Sequence, residues 1–534
     1  MKKISKLLML LLVAVITLSV TGCGVKTEKI DANSKDGNIV ILHTNDVHGA
    51  IAGYSYLPGL KASYENNGDT VILVDAGDYT NGNIYVSISK GESAITLMNQ
   101  VEYDIVTLGN HELDFGFDQL KQNLGKGNFN VLCSNLLEND KPVFDSEMIY
   151  QVGGVKIGFF ALLTPETQTK VNPANIQGLK FTEKEELYSI AQKEADKLNK
   201  SCDVVICIAH LGVDNESVGN RSTDLYSKVK GIDFIIDGHS HTVMEKGENN
   251  EPIQSTGTEF ANVGEIVISQ KTKKIVSNRL VATEGLAQDN LVLATANNII
   301  ATVDEEFGAT FAKAEVYFDG VKANVRSKET NLGDLIADSM IWSVTNETEL
   351  QVDAKHVVAV TNGGGIRAEI QEGDVSRSTI KTVLPFGNTI AVNYVTGREL
   401  LEALEASTYC TPEAVGGFPQ IGGMKIKIDT TKTFDAGEEY PDSTYCSPKS
   451  INRVSILEVN GEAFDENATY AVVTNNFCAA GGDTYYAFKR SYDAGNGFDT
   501  SIPMDEALVN YIQAKLGSKL TADCITYTNR ITIE

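Results

Sequence analysis

The placement of the histidines restricts this chain more than any other feature. Seven occur in 534 residues, and five of them, His48, His111, His210, His239 and His241, fall within a few positions of the end of a short apolar run. The runs before these five and before Asp78 cover residues 39–42, 71–74, 104–108, 204–209 and 234–236. Apolar stretches this short, bounded by glycine and acidic residues, read as strands of a parallel sheet buried on both faces. Amphipathic stretches between them, such as 92–100 and 183–199, supply the crossover helices of an α/β fold. Open α/β sheets build their sites at the carboxyl ends of strands, which is where these side chains stand. Only His43, read as structural, and His356 lie outside the pattern.

The strand ends carry more than imidazoles. Asp46 and His48 share the first, Asp78 follows the second, Asn110 and His111 the third, His210 the fourth, and His239 and His241 the fifth. One histidine in a loop is as well explained by packing or solvation, whereas oxygen and nitrogen donors repeated at strand ends are explained by shared ligands. Seven such donors, with no Cys-x-x-Cys anywhere, suit two divalent ions (Zn, Mn, Fe or Co) better than one. The assignment gives Asp46, His48 and His241 to one ion and Asn110, His210 and His239 to the other, with Asp78 bridging. Two ions about 3.5–4 Å apart can activate a shared water and clamp a phosphoryl group, so the expected reaction is phosphoester hydrolysis. His111 is left without an ion and would face the phosphoryl or leaving oxygen, with Asp114 three residues on to fix its tautomer.

The blocks Asp46-x-His48, Gly77-Asp78, Gly109-Asn110-His111-Glu112-x-Asp114, His210 and Gly238-His239-Ser240-His241 resemble, in order, those of the calcineurin-like metallophosphoesterase superfamily. The resemblance implies a four-layer αββα domain, the seven donors as a two-metal site, and His111 with Asp114 as a catalytic dyad.

The second half differs in character. Residues 289–313 are helix-like and charged and read as a connector; turn-rich loops at 361–367, 384–388 and 475–483 follow. An aromatic on such a turn is either a loop anchor in a local core or a stacking surface for a flat ring. These blocks resemble the C-terminal domain of secreted 5′-nucleotidases, so the similarity covers nearly all of the mature chain. By that match Phe386 and Phe477 would hold a base between them, and Arg326 and Arg367 would meet the phosphate side. Asn362 and Asp483 would bind the nucleoside, and Gly422 and Gly423 would line the base pocket through their backbone. The match also implies that this domain closes on the metal domain. Ala480, Thr484 and Tyr485 depart from the family pattern and bear on base preference rather than on metal chemistry. The implied activity is hydrolysis of nucleoside 5′-monophosphates, extending to di- and triphosphates or nucleotide sugars. The rivals are a 2′,3′-cyclic-nucleotide 2′-phosphodiesterase/3′-nucleotidase and a catalytically silent nucleotide-binding surface protein.

Lys2, Lys3 and Lys6 precede an apolar run over 7–20 that gives way to Thr21-Gly22-Cys23. That is a signal peptide over 1–22, too short and wrongly flanked for a membrane span. The small residues before Cys23 resemble the lipobox of bacterial lipoproteins, which implies a lipid on Cys23, a polar tether over 23–38 and an extracytoplasmic, membrane-attached protein. An ordinary secretory signal with an incidental cysteine is the alternative. The expected divisions are then 39–285 for the metallophosphoesterase domain, 286–318 for the connecting helix and 319–534 for a C-terminal α/β nucleotide-binding domain. A net charge of −26 excludes a surface that grips long nucleic acid, because phosphate contacts need clustered lysine and arginine. Of eight cysteines, removal of Cys23 leaves an odd number. Cys202 and Cys207 flank one strand, about 16 Å apart, and cannot bridge; Cys410 and Cys446 are the expected pair.

Overall fold

The computed structural model describes residues 25–34, 37–441, 443–524 and 529–534; the signal peptide and Cys23 lie outside them. Alternation within the strands decides the architecture of the first half. Ile39 and Ile41 of strand Asn38–Thr44, with Ile72 and Val74 of strand Thr70–Asp75, enter one core, while Val40, Leu42, Val71 and Leu73 enter another. A strand apolar on both faces needs a layer on each side. The inner core is completed by a second sheet through Ile157, Phe159, Val204, Ile206 and Phe234. The outer core is closed by helices Tyr56–Glu65, Glu92–Val101 and Asn290–Phe307. Beyond the second sheet, Phe160, Leu162, Val205 and Cys207 pack under helices Lys184–Leu198 and Ser222–Lys228. The layers run helix, sheet, sheet, helix, the αββα order expected.

The strand-end donors do not share one sheet. Asn38–Thr44, Thr70–Asp75 and Ile105–Val106 are parallel neighbours in a six-stranded sheet. Val204–His210 and Phe234–Ile236 are parallel neighbours in the seven-stranded sheet stacked on it. A single sheet rim carrying all the donors is therefore wrong. Periodicity separates strand from helix but does not say which sheet a strand joins.

Two boundaries also move. Within the expected tether, Lys26–Ile30 forms a parallel edge pair with Glu147–Val152, and its exposed, polar side chains conceal it from hydrophobic pattern. The connecting helix is Asn290–Phe307, opened by the Asp289 carboxylate accepting from the N–H groups of Leu291 and Val292. The chain then enters strand Thr310–Ala314, paired with Gly373–Ser376, so the connector ends well before residue 318. The second half is built on a five-stranded mixed sheet in the order Pro419–Gly422, Val357–Asn362, Thr469–Asn475, Thr389–Thr396, Gly497–Pro503. Helices Asn331–Glu347 and Met504–Asn510 cover one face, and Gly397–Ser407 and Tyr486–Asp493 the other. Cys410 and Cys446, expected to pair, are not joined to each other; a shared polar setting carries no distance information. Among the described residues no helix is long and apolar enough to cross a membrane.

His43 is structural, as expected. It is fully buried, its Nε2 lies 2.9 Å from Gln254 Oε1, and its ring covers Gly264, where a Cβ would come within 2.0 Å of it. Burial outweighs the Gln254 hydrogen bond and pushes its pKa down to about 4. The unfolded chain therefore takes up this proton first, so stability is complete above the ordinary value near 6.5 and is lost as pH falls towards 4. Between pH 7 and 5 this one group removes about 2 kcal/mol. Urea unfolding of the wild type and His43→Asn at both pH values tests this: the wild type should lose more stability on acidification by about that amount, and equal losses would remove the effect.

Candidate metal centre and substrate cleft

The loops that carry the donors are tied to one another before any ligand is considered. Asp75 accepts from Thr44 Oγ1 at 2.5 Å and from the Gly77 N–H at 2.8 Å, joining the ends of the first two strands. Glu112 accepts from the N–H groups of Asp78 (2.8 Å), Tyr79 (2.9 Å), Thr80 (3.0 Å) and Gly109 (2.5 Å), so one carboxylate clamps the second loop to the third. The loops are so close that a Cβ on Gly109 would lie 2.1 Å from Asp78 Oδ1. Asp237 accepts from the N–H groups of Leu211 and Gly212, both at 3.1 Å, and sets the turn after His210. Asp46 accepts the N–H of His239 at 2.9 Å, which brings the second sheet's loop to the first sheet's.

These ties collect lone pairs. His48 Nδ1 donates to the Asn81 carbonyl at 3.1 Å and His210 Nδ1 to the Ala76 carbonyl at 2.7 Å, so each turns Nε2 inward. His48 Nε2 lies 3.0 Å from His241 Nε2, and the two are 3.8 and 3.6 Å from Asp46 Oδ1. Burial pushes both imidazoles well below their ordinary pKa, outweighing Asp78 at His48 and joined by His48 at His241, so both are neutral. Asp78 Oδ2 lies 3.6 Å from His48 Nε2 and 3.2 Å from His210 Nε2. Burial disfavours the charge on Asp78, but His210, His111 and His48 outweigh it and hold the carboxyl well below the usual range. Asn110 Oδ1 is buried with no hydrogen-bond partner. Such a set fits two cations, one among Asp46, His48 and His241 and one among Asp78, His210 and His239, with Asn110 contributing its orphaned oxygen.

The backbone is strained to make this arrangement. Asp46, His48, Asp78, His239 and His241 have φ of 51°, 46°, 64°, 79° and 56°. Left-handed backbone at residues other than glycine costs about 1–3 kcal/mol each and persists where the surroundings over-determine it.

Beside the cations' place stands His111. Its Nδ1 is 2.6 Å from Asp114 Oδ2, which also accepts from Asn81 Nδ2 at 2.7 Å, and its backbone N–H donates to Asp78 Oδ1 at 2.9 Å. Burial lowers its pKa, but Asp114 and Asp78 more than compensate and raise it. His111, Asp114, Asp78, Asn110, His239 and His241 line a cleft of about 290 Å³ between the two halves; Asp46, His48 and His210 lie buried behind them. Arg326, Asn362, Arg367, Phe386, Phe477 and Asp483 line the same cleft from the second half. The Phe386 ring stacks on His111 with centroids 5.5 Å apart, and the Arg367 guanidinium lies 5.5 Å from the Phe386 centroid. Candidate metal donors and expected nucleoside contacts thus face one another across one cleft.

Gly422 and Gly423 do not belong to the cleft. Gly422 ends a strand packed on Ala337 and Ile341, and Gly423 turns towards the Val357 carbonyl and Asn460. The glycines that line the cleft are Gly364, Gly365, Gly387 and Gly416, and a Gly-Gly pair in sequence does not reveal which of several such pairs faces a ligand. Nor do Ala480, Thr484 and Tyr485 line it: Tyr485 is buried and donates to the Gly417 carbonyl at 2.7 Å, so the departures repack the wall behind the cleft. Several lining residues carried no sequence signal. Glu166 sits 3.1 Å from His239 Nε2, and Asn476 turns a buried, unpartnered Oδ1 into the second half's wall. Lys322 is pushed down to about 7 by burial and then by Arg326 and Arg367. Glu112 stood inside a quoted motif, but its role as a clamp needs the fold. Glu112→Gln, which halves its anionic acceptors, should weaken metal binding about tenfold to a hundredfold in a competitive chelator titration; unaltered affinity would deny the clamp its role.

Two family models match the chain: calcineurin-like phosphoesterase over residues 39–243 and 5′-nucleotidase, C-terminal domain, over residues 300–490. The chain is 30% identical to the trifunctional nucleotide phosphoesterase protein YfkN of Bacillus subtilis over 94% of its own length and 36% of that protein's, so it spans about a third of that relative. It is 27% identical to a snake venom 5′-nucleotidase of Naja atra over 88% of this chain and 95% of that one. Its structure resembles that of a 5′-nucleotidase precursor from Thermus thermophilus with a TM-score of 0.75 at 26% identity, covering 93% of this chain and 99% of that one. With a calcineurin-like phosphoesterase domain followed by a 5′-nucleotidase C-terminal domain, the chain belongs to the 5′-nucleotidase family of metallophosphoesterases.

Proposed function

We propose that the chain hydrolyses nucleoside 5′-monophosphates to nucleoside and phosphate outside the cytoplasm, as a two-metal 5′-nucleotidase. The observation that carries this is that two cation-shaped donor sets and a wall of aromatic, amide and guanidinium groups line one cleft of about 290 Å³. Bound by Asp46, His48, His241, Asn110, His210, His239 and Asp78, two divalent ions (Zn, Mn, Fe or Co) would polarise a phosphoryl group and supply the attacking oxygen at neutral pH.

The chain's own residues do the rest. Asp114 holds the Nδ1 hydrogen of His111, so Nε2 is left to face the phosphoryl or leaving oxygen, and the raised pKa lets it carry a proton there. Arg326, Arg367 and Lys322 offset the phosphate charge inside a protein whose net charge is −26. Phe386, one face of which is taken by His111, and Phe477 hold the base, while Asp483 accepts from the nucleoside's hydroxyls and Asn362 hydrogen-bonds beside it. The lipobox-like Thr21-Gly22-Cys23 supports a lipid anchor on Cys23 and an extracytoplasmic site of action.

The name of the Bacillus relative favours a second, broader reading as a phosphoesterase acting on several nucleotide esters. Release of phosphate from AMP, 3′-AMP, cyclic 2′,3′-AMP, ADP and UDP-glucose by the metal-replete chain separates them. AMP should be turned over, with His111→Ala keeping its metal and losing about 10²–10⁴ in kcat. Activity confined to the cyclic and 3′ esters would overturn the first reading, and saturable nucleotide binding without turnover would favour a silent binding protein.

A further inference from the structure

Asp483 is held from both halves of the molecule. It is 3% exposed and has a φ of 50°, a conformation that needs support. From its own half, Asn362 Nδ2 donates to Oδ2 at 2.8 Å. From the metal half, Lys170 Nζ lies 3.3 Å from Oδ1, and the Asp483 N–H donates to the Thr169 carbonyl at 2.7 Å. Lys170 Nζ also donates to the Tyr445 hydroxyl at 2.8 Å, a second contact into the C-terminal half. Lys170 ends the short helix Thr167–Lys170, and Glu166, directly before it, lies 3.1 Å from His239 Nε2. One five-residue segment therefore touches a metal-side histidine at its start and the nucleoside-side carboxylate at its end.

We propose that Lys170, together with the Thr169 carbonyl, is a positioning residue that completes the nucleoside subsite only when the two halves close. It rests on the nucleotidase reading, in which Asp483 accepts from ribose hydroxyls. A carboxylate oxygen has more than one acceptor direction, so Oδ1 can hold the Lys170 ammonium and still receive a hydroxyl. With the halves apart, Asp483 keeps Asn362 but loses the charge and the carbonyl that fix its carboxylate and its backbone. Nucleoside binding and delivery of the phosphate to the metal donors are then one event, and binding energy from the non-reacting end of the substrate is spent on closure. A phosphate ester without a nucleoside draws less from the same closure.

The test uses the full, metal-replete chain as wild type, Lys170→Met and Lys170→Arg, with kcat and KM measured on AMP and on p-nitrophenyl phosphate. Lys170→Met should lose about tenfold or more in kcat/KM on AMP, the size of one charge-assisted hydrogen bond, and proportionately far less on p-nitrophenyl phosphate. Lys170→Arg, which keeps the charge, should recover most of the AMP activity. Equal losses on both substrates, or no loss on AMP, would overturn the proposal while leaving the nucleotidase reading in place. A wild type active on p-nitrophenyl phosphate and inert on AMP would overturn both.

Discussion

Lone pairs and negative charge converge on Asp78, and much of the first half is arranged to hold them there. Carboxylates and imidazoles packed at 3–4 Å and shut away from water are costly to hold together; His210, whose burial Asp78 and Asp46 overcome to raise its pKa to about 10, offsets part of that charge, and cations among the remaining lone pairs would offset more. The loops are held in place against that cost by the Asp75, Glu112 and Asp237 carboxylates, each spent on backbone N–H groups, and with strained φ at five of the clustered residues. Glu112 shows the strength of the opposition: burial first, then Asp78, push its pKa up to about 7 even with its several backbone donors.

The opposite wall carries the complementary problem. Arg326, Arg367 and Lys322 crowd one side of the cleft, and burial together with that crowding pushes Arg367 down to about 10. An anion placed between the two walls relieves both, since it meets cations on the second half's side and the metal donors' ions on the other. A surface of net charge −26 leaves this cleft as a local exception, and a small anionic ester fits it where a long polyanion does not.

How much of this the sequence discloses depends on whether a property is local. Strands buried on both faces, and polar side chains just past their ends, are written in consecutive residues, so the layered fold was legible, and so were the side chains that the structure gathers around Asp78 as candidates for metal binding. Arg326, Arg367, Asn362, Phe386, Phe477 and Asp483 became legible through the resemblance of short loop blocks, and all six line the cleft. Gly422 and Gly423 failed because a glycine pair says that backbone comes close to something, not to what; here it is Ala337, Ile341 and the Val357 carbonyl. Glu166, Lys170 and Lys322 are set by the meeting of distant segments, and the division of the donors between two sheets is a choice of pairing partner that no strand declares. The edge strand Lys26–Ile30 was hidden for a different reason, since an exposed strand has no apolar face to announce it.

Anomalous diffraction at the absorption edge of the bound metal, from crystals of the full chain grown with that metal in excess, tests the central claim most directly. Two peaks should flank the Asp78 carboxylate, one bounded by Asp46, His48 and His241 and the other by Asn110, His210 and His239. A single peak, or density elsewhere with none beside Asp78, would contradict the account.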